Sequence, residues 1–232
     1  ADDPGPSRNR SAAATMDALP PGIAPPGYAF VDLAPAINRP LDAANVVFGD
    51  KIGTLAMVPG GTQRFLGIDY EIRGMVALGM PARHSNKPTI SAPVSVPAPR
   101  FGAVHLLAGA CCMLQNMAGL LHVPYGYFHI AYADGGHARV PIVYGRDIME
   151  AWTDAGDSLP ARIAWIEAGP RPDIIQRARL RLYALRLENP HPQREVGSIA
   201  FEASDAAWSG PMILAATLET SDMATAGSTA AH

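Results

Sequence analysis

Between residues 28 and 220 the hydrophobic positions come in short runs, many alternating with polar residues, and Gly or Pro closes almost every run. A period of two puts successive side chains on opposite faces of an extended chain, so this is the pattern of half-buried β-strands. Residues 127–144 show it best. Phe128, Ile130 and Tyr132 alternate with His129, Ala131 and Ala133; Asp134-Gly135-Gly136 follows; then Val140, Ile142 and Tyr144 resume the alternation. Asp-Gly supplies the positive φ of a tight turn, so the segment predicts a β-hairpin. Further strands are expected at 28–33, 53–58, 65–72, 74–81, 94–96, 101–108, 162–167, 177–187, 196–203 and 212–219, with one helical turn at 147–152. No strand–helix–strand rhythm and no internal repeat appears. The expected fold is all-β, a jelly-roll-like antiparallel β-sandwich with extended N- and C-terminal tails.

The tails are residues 1–27, rich in Pro, Ala and Gly without apolar periodicity, and residues 221–232, small and polar. They flank a sandwich domain at 28–220. Proline lowers the entropy lost when a segment is laid along a surface. Residues 1–27 are therefore expected to form a docking arm, with Leu19 and Ile23 as apolar anchors and Arg8 and Arg10 pairing with acidic groups.

Composition narrows the possibilities. A chain of 232 residues can bury about 70% of the surface it exposes when extended. The net charge of −3 excludes a general nucleic-acid binder, which needs a basic surface. Residues 101–133 contain no Asp, Glu, Lys or Arg. His105, Gln115, Asn116, His122 and Pro124 interrupt that stretch, so it predicts two buried strands and an apolar connection rather than a membrane span. The chain starts at Ala1 without Met, as an exported protein does after signal-peptide removal. The expected location is extracytoplasmic, in the periplasm or at the cell surface.

Candidate chemistry is sparse. Cys111 and Cys112 are adjacent, a spacing that does not readily close an unstrained disulfide, and they are expected to be buried thiols. Gly156-Asp157-Ser158-Leu159 spells the signature of the GDSL esterases, a family with an Asp-x-x-His block near its C-terminus. Here the sole Asp-x-x-His is Asp134 to His137, upstream of the serine. Ser158 is therefore not expected to be a nucleophile. The histidines show no metal-binding spacing, although His129 and His137 flank the predicted turn and could approach across the hairpin. No enzyme activity, metal or cofactor is expected.

Two patterns point to binding. Arg177, Arg179 and Arg181 alternate with apolar residues, so on a strand they would form a basic ridge on the solvent face, suited to an acidic partner. Trp152, Trp165 and Trp208, with Tyr125 and Tyr127, carry ring faces on which sugars can stack. Tyr125, Tyr127, Trp152 and Trp208 are the expected carbohydrate platform.

Several segments, in order, resemble a bacterial exported β-sandwich domain of the galactose-binding-like, jelly-roll type. They are Phe30-Val31-Asp32-Leu33 with Asn38-Arg39, Gln63 to Ile68, Val104 to Ala108, Gly126-Tyr127, Tyr132 to Gly135, Val140 to Ile148 with Trp152, Leu187-Glu188-Asn189-Pro190 and Ile199-Ala200-Phe201. Such domains accompany glycoside hydrolases and other cell-surface proteins, so the resemblance implies a non-catalytic accessory role. The expected function is a structural or interaction subunit of an envelope or membrane-associated assembly, with other protein chains as partners. The alternative is a carbohydrate-binding module of the same fold.

Overall fold

The computed structural model describes residues 23–43, 55–79, 87–110, 121–153, 160–167, 179–205 and 210–220. In chain order its strands are β1 (Tyr28–Phe30), β2 (Gly61–Phe65), β3 (Ile68–Ile72), β4 (Val76–Ala77), β5 (Val94–Ser95), β6 (Phe101–Ala110), β7 (Pro124–Tyr132), β8 (His137–Val143), β9 (Trp152–Thr153), β10 (Ile163–Ile166), β11 (Arg179–Glu188), β12 (Val196–Ala203) and β13 (Pro211–Thr220). The described residues contain no helix. The larger sheet has the order β1-β13-β6-β11-β10, with β4 also on β13 and β9 also on β11. The smaller sheet runs β5-β12-β7-β8, and β2-β3 is a separate hairpin. The pairings between these strands are antiparallel. The all-β, sandwich-like fold expected from the alternation is the fold observed.

The two sheets enclose one core. Val104, Leu106 and Ala108 of β6, Leu185 and Leu187 of β11, and Ile213 and Leu218 of β13 share it with Phe128, Ile130, Ile199 and Phe201 of the smaller sheet. Phe128 and Phe201 are register partners, with ring centroids 5.8 Å apart. A second core lies behind the larger sheet. There Leu107, Leu180, Leu182, Met212, Leu214 and Ala215 meet Tyr70 and Ile72 of the hairpin, with Leu55, Val58 and Met75. A bulge between Ile213 and Ala215 lets neighbouring residues of β13 serve the same core. Strands covered on both faces read as near-continuous hydrophobic runs, which is why β6 and β13 alternate so little.

The uncharged stretch from 101 to 133 contains two strands, β6 and β7, one in each sheet; residues 111–120, with Cys111 and Cys112, lie outside the described residues. The 127–144 hairpin is present as β7 and β8. Its connection is the three-residue loop Ala133-Asp134-Gly135, closed by Tyr132 N–H on Gly136 O at 2.8 Å and Gly135 N–H on Tyr132 O at 3.0 Å, with Gly135 at φ 87°. Only Gly135 needs the left-handed region, so Asp134 is left to bind Arg194 with its carboxylate.

Three expectations are corrected. The strand expected at 65–72 is split by a turn in which Leu66 (φ 52°) and Gly67 (φ 85°) are both left-handed. Two positive φ values match the twist of the flanking strands, and Arg64 and Asp69, directly opposite, lock the hairpin with two hydrogen bonds of 2.9 Å. Residues 55–58, expected as strand, form a turn that drops Leu55 and Val58 into the second core. The helical turn expected at 147–152 is replaced by bridges of Ile148 to Tyr144 and Glu150 to Ala110, followed by β9.

One polar clamp joins the two sheets. Tyr132 O–H donates to Asn189 Oδ1 at 2.7 Å, while Asn189 Nδ2 donates to Phe101 O at 3.1 Å. Phe128→Ala should cost about 3–5 kcal/mol, because it removes a ring from the shared core and leaves a cavity. Urea unfolding followed by tryptophan fluorescence measures that loss; a change below 1 kcal/mol would contradict this description of the core, about 3 kcal/mol being the usual minimum for such a site.

Candidate functional site

The register of the smaller sheet decides which polar groups meet outside it. Phe128, Phe201 and Ile130 point inward, so the intervening positions Tyr127, His129, Glu202 and Ala200 point outward. On the other side, His129 pairs with Arg139 of β8. Three strands thereby bring Tyr127, His129, Arg139 and Glu202 together on one solvent-facing surface. Arg139 grips Glu202 with both arms: Nε to Oε2 and Nη2 to Oε1, each 3.0 Å. His129 Nε2 is hydrogen-bonded to the same Oε2. The Arg139 guanidinium also lies 3.3 Å above the centroid of the Tyr127 ring. Bidentate pairing and ring stacking each fix the guanidinium plane, so the four side chains hold one another in place.

Burial pushes the Glu202 carboxyl up, but the hydrogen bonds and charges of Arg139 and His129 outweigh it and hold the group below its ordinary value. The pair is half-exposed, and its charges are neutralised locally. His129 and His137, which flank the turn and could have met across the hairpin, are not register partners: His129 lies opposite Arg139, and His137 lies opposite Ala131.

A second polar cluster lies behind the larger sheet, beyond the hairpin. Arg186 Nε and Nη2 donate to Glu219 at 2.9 and 3.2 Å, and Arg186 Nη1 donates to Glu188 at 3.0 Å. His105, on the strand between them, meets Glu219 Oε2 at 3.1 Å. The Arg186 hydrogen bonds are the main reason the Glu219 carboxyl sits below its ordinary value. Burial is the largest influence on His105 and lowers it, Glu219 raises it, and the charges of Arg186 and Arg162 add to a net lowering.

The predicted site residues scatter. Tyr125 is 1% exposed in the core between the sheets, against Tyr144, whereas Trp152 is 4% exposed in the core behind the larger sheet. The larger sheet separates them, so neither presents a ring to solvent and they share no platform. Tyr127 is half-buried and carries Arg139 on its ring; Trp208 lies outside the described residues. The basic ridge is also corrected. Arg179 is exposed, but Arg181 is 9% exposed and sits near Tyr183, whose phenol it hydrogen-bonds and pulls down against the upward push of burial. The physical reason is that β11 is interior to its sheet, with Leu180 and Leu182 packed behind it, so its alternate face is not a free surface. Ile23 is exposed. Arg8, Arg10, Leu19, Arg177 and Ser158 lie outside the described residues.

Sequence reasoning missed Arg139 and Glu202. They are 63 residues apart, and nothing in a single chain reveals which strands become neighbours. The available signal was parity: each sits an odd number of positions from an inward-facing aromatic on its own strand or its partner. Among the described residues, no group of three or more His, Cys, Asp or Glu could hold a metal ion.

The lowered Glu202 pKa makes a signed prediction. A carboxylate favoured in the folded state stabilises it above the unfolded pKa, and that contribution is lost as pH falls below the ordinary 4.5. Glu202→Gln should therefore flatten the fall in melting temperature between pH 6 and about 3 relative to the parent. Melting curves of both proteins across that range check it; parallel slopes would contradict it.

No protein-family model and no curated protein matches the chain.

Proposed function

We propose that the protein is a non-catalytic interaction subunit of a larger assembly, and that it docks on a partner chain through the outer face of its smaller sheet. The observation that carries this reading is the Tyr127–Arg139–Glu202–His129 cluster. Tyrosine and arginine dominate the energetics of protein interfaces because they bury much area with few lost rotamers. Arg139 is already immobilised by Glu202 and Tyr127, so docking would order it at little further entropic cost. Its charge is paired beforehand, which avoids the penalty of burying a lone ion. Ile90 bridges to Glu202 at the margin of the cluster and is 49% exposed, adding an apolar contact.

The resemblance to galactose-binding-like domains supports the non-catalytic role. Of the four aromatics expected to stack on sugars, two are core residues and one is covered by Arg139. This face therefore favours a protein partner over a sugar.

The test is affinity purification of the tagged protein from its native source, beside Arg139→Glu, Ile90→Asp and the control Glu188→Gln on the opposite side of the molecule. Arg139→Glu and Ile90→Asp should lose a chain that the parent and the control retain, with melting temperatures within a few degrees of the parent. Retention of every co-purifying chain by both face variants would refute the docking face.

A further inference from the structure

The tip of the β2-β3 hairpin combines two features that a turn does not need. Phe65 and Ile68 are register partners, so the loop between them is Leu66-Gly67. Both residues have positive φ, 52° and 85°. Such a loop favours Asn or Asp before Gly, because their short side chains tolerate the left-handed region. A leucine there brings its Cβ close to the following carbonyl oxygen, which strains the backbone. The chain uses the favoured residues in its β7-β8 connection, where Asp134-Gly135 leaves the positive φ to the glycine.

The second feature is exposure. Phe65 and Ile68 pack against the second core, with the Phe65 and Tyr70 ring centroids 6.3 Å apart, but Leu66 between them is 49% exposed. A Cβ added at Gly67 would meet nothing within 4 Å, so the tip stands in open space. A lone exposed leucine is ordinary on a protein surface. An exposed leucine in a left-handed backbone is not, since it strains the chain and gains no burial in return. Among the described residues, Leu66 is the one exposed large hydrophobic with positive φ.

The tip is also rigid and electrically neutral. Arg64 Nε and Nη2 donate to Asp69 Oδ1 and Oδ2 directly across the hairpin, each at 2.9 Å. This bidentate pair pins the two strands at the base of the loop, and its charges cancel.

We propose that Leu66 is a preformed anchor that inserts into an uncharged aliphatic pocket on a partner protein chain. The tip itself specifies that chemistry. A leucine side chain has no polar atom and gains from apolar burial. The neutral Arg64–Asp69 pair beside it complements an uncharged rim rather than a charged one. The pinned loop has little freedom left to lose on docking. Burying one such side chain tightens a contact roughly tenfold to a hundredfold. A bilayer is a poorer match: a whole myristoyl chain holds a protein there only marginally, and this tip offers one leucine whose neighbouring cation is already paired. The hairpin lies behind the larger sheet, away from the Arg139 face, so this contact goes beyond the one proposed above and would stand without it.

Two measurements test the anchor. The first is melting of the purified protein. Leu66→Asn should raise the melting temperature by about 2–4 °C, the shift that relief of one strained residue gives a domain of this size. Leu66→Met keeps the strain and should melt like the parent. An unchanged or lowered melting temperature in Leu66→Asn would overturn the proposal, because the strain is what sets Leu66 apart from any exposed leucine.

The second is photo-crosslinking in the native source, with photo-leucine, the diazirine isostere, in place of Leu66 and, as a control, in place of Glu188. The probe at position 66 should attach to one protein chain that the control does not reach, within a peptide of uncharged apolar residues. Affinity purification should recover that same chain with Leu66→Met about as with the parent, and at least about tenfold less with Leu66→Asn. No crosslinked chain, attachment within a charged peptide, or undiminished recovery with Leu66→Asn would overturn the anchor. A crosslink to a second copy of this chain would overturn the separate partner, and a crosslink to phospholipid would overturn the protein pocket. If the expected results come together with full retention of every chain by Arg139→Glu and Ile90→Asp, the smaller-sheet face is refuted and the Leu66 anchor stands.

Discussion

Burial of the larger sheet on both of its faces is the constraint from which the other features follow. β6, β11 and β13 carry apolar side chains forward into the core between the sheets and backward into the core under the β2-β3 hairpin. A sheet in that position has no solvent face along most of its length, so polar groups on it must be paired or pushed to its ends. Thr217 shows the first solution: its hydroxyl is buried and donates to Asp69 O at 2.7 Å, tying the hairpin to β13. The Glu219, Arg186 and His105 cluster shows the second, gathered where the hairpin no longer covers the strands.

The smaller sheet obeys the opposite rule. It has one face in the core and one in water, so its alternation survives and its outer positions are free to be chemical. What makes these positions more than a solvated surface is their mutual pairing. Glu202 receives Arg139 and His129 at once, and Arg139 stacks on Tyr127. Exposed ion pairs add little stability in general. Their value here is geometric, since they hold an arginine and a tyrosine in fixed orientation on an exposed sheet.

The molecule thus presents two polar surfaces, one on each sheet. The outer face of the smaller sheet is charge-balanced, and at the margin of the larger sheet Arg186 is likewise held by Glu219 and Glu188. A balanced surface suits a broad contact with another chain. The Asn189 clamp between Tyr132 and Phe101 keeps the two sheets, and with them the two surfaces, in a constant relation.

Much of the strand content was legible by itself in the amino-acid order. The alternation at 127–144, the Gly and Pro punctuation and the absence of any helical period are local properties, and local periodicity determines local backbone. β12 lies at the very residues expected, and β6, β10 and β11 within two of them. The Leu66-Gly67 turn escaped notice because Leu is an unusual residue for positive φ, and only the pairing of Arg64 with Asp69 across it makes the turn worthwhile. The site was decided by tertiary structure. Arg181 looks like one tooth of a basic ridge until β11 is found in the interior of a sheet covered on both faces. Trp152 and Tyr125 look like companions until the larger sheet comes between them. Glu202 and Arg139 become neighbours solely because β12 and β8 both flank β7. Alternation determines which side of its own strand a residue occupies; which strand lies beside it, and what covers that side, depend on contacts distant in the chain.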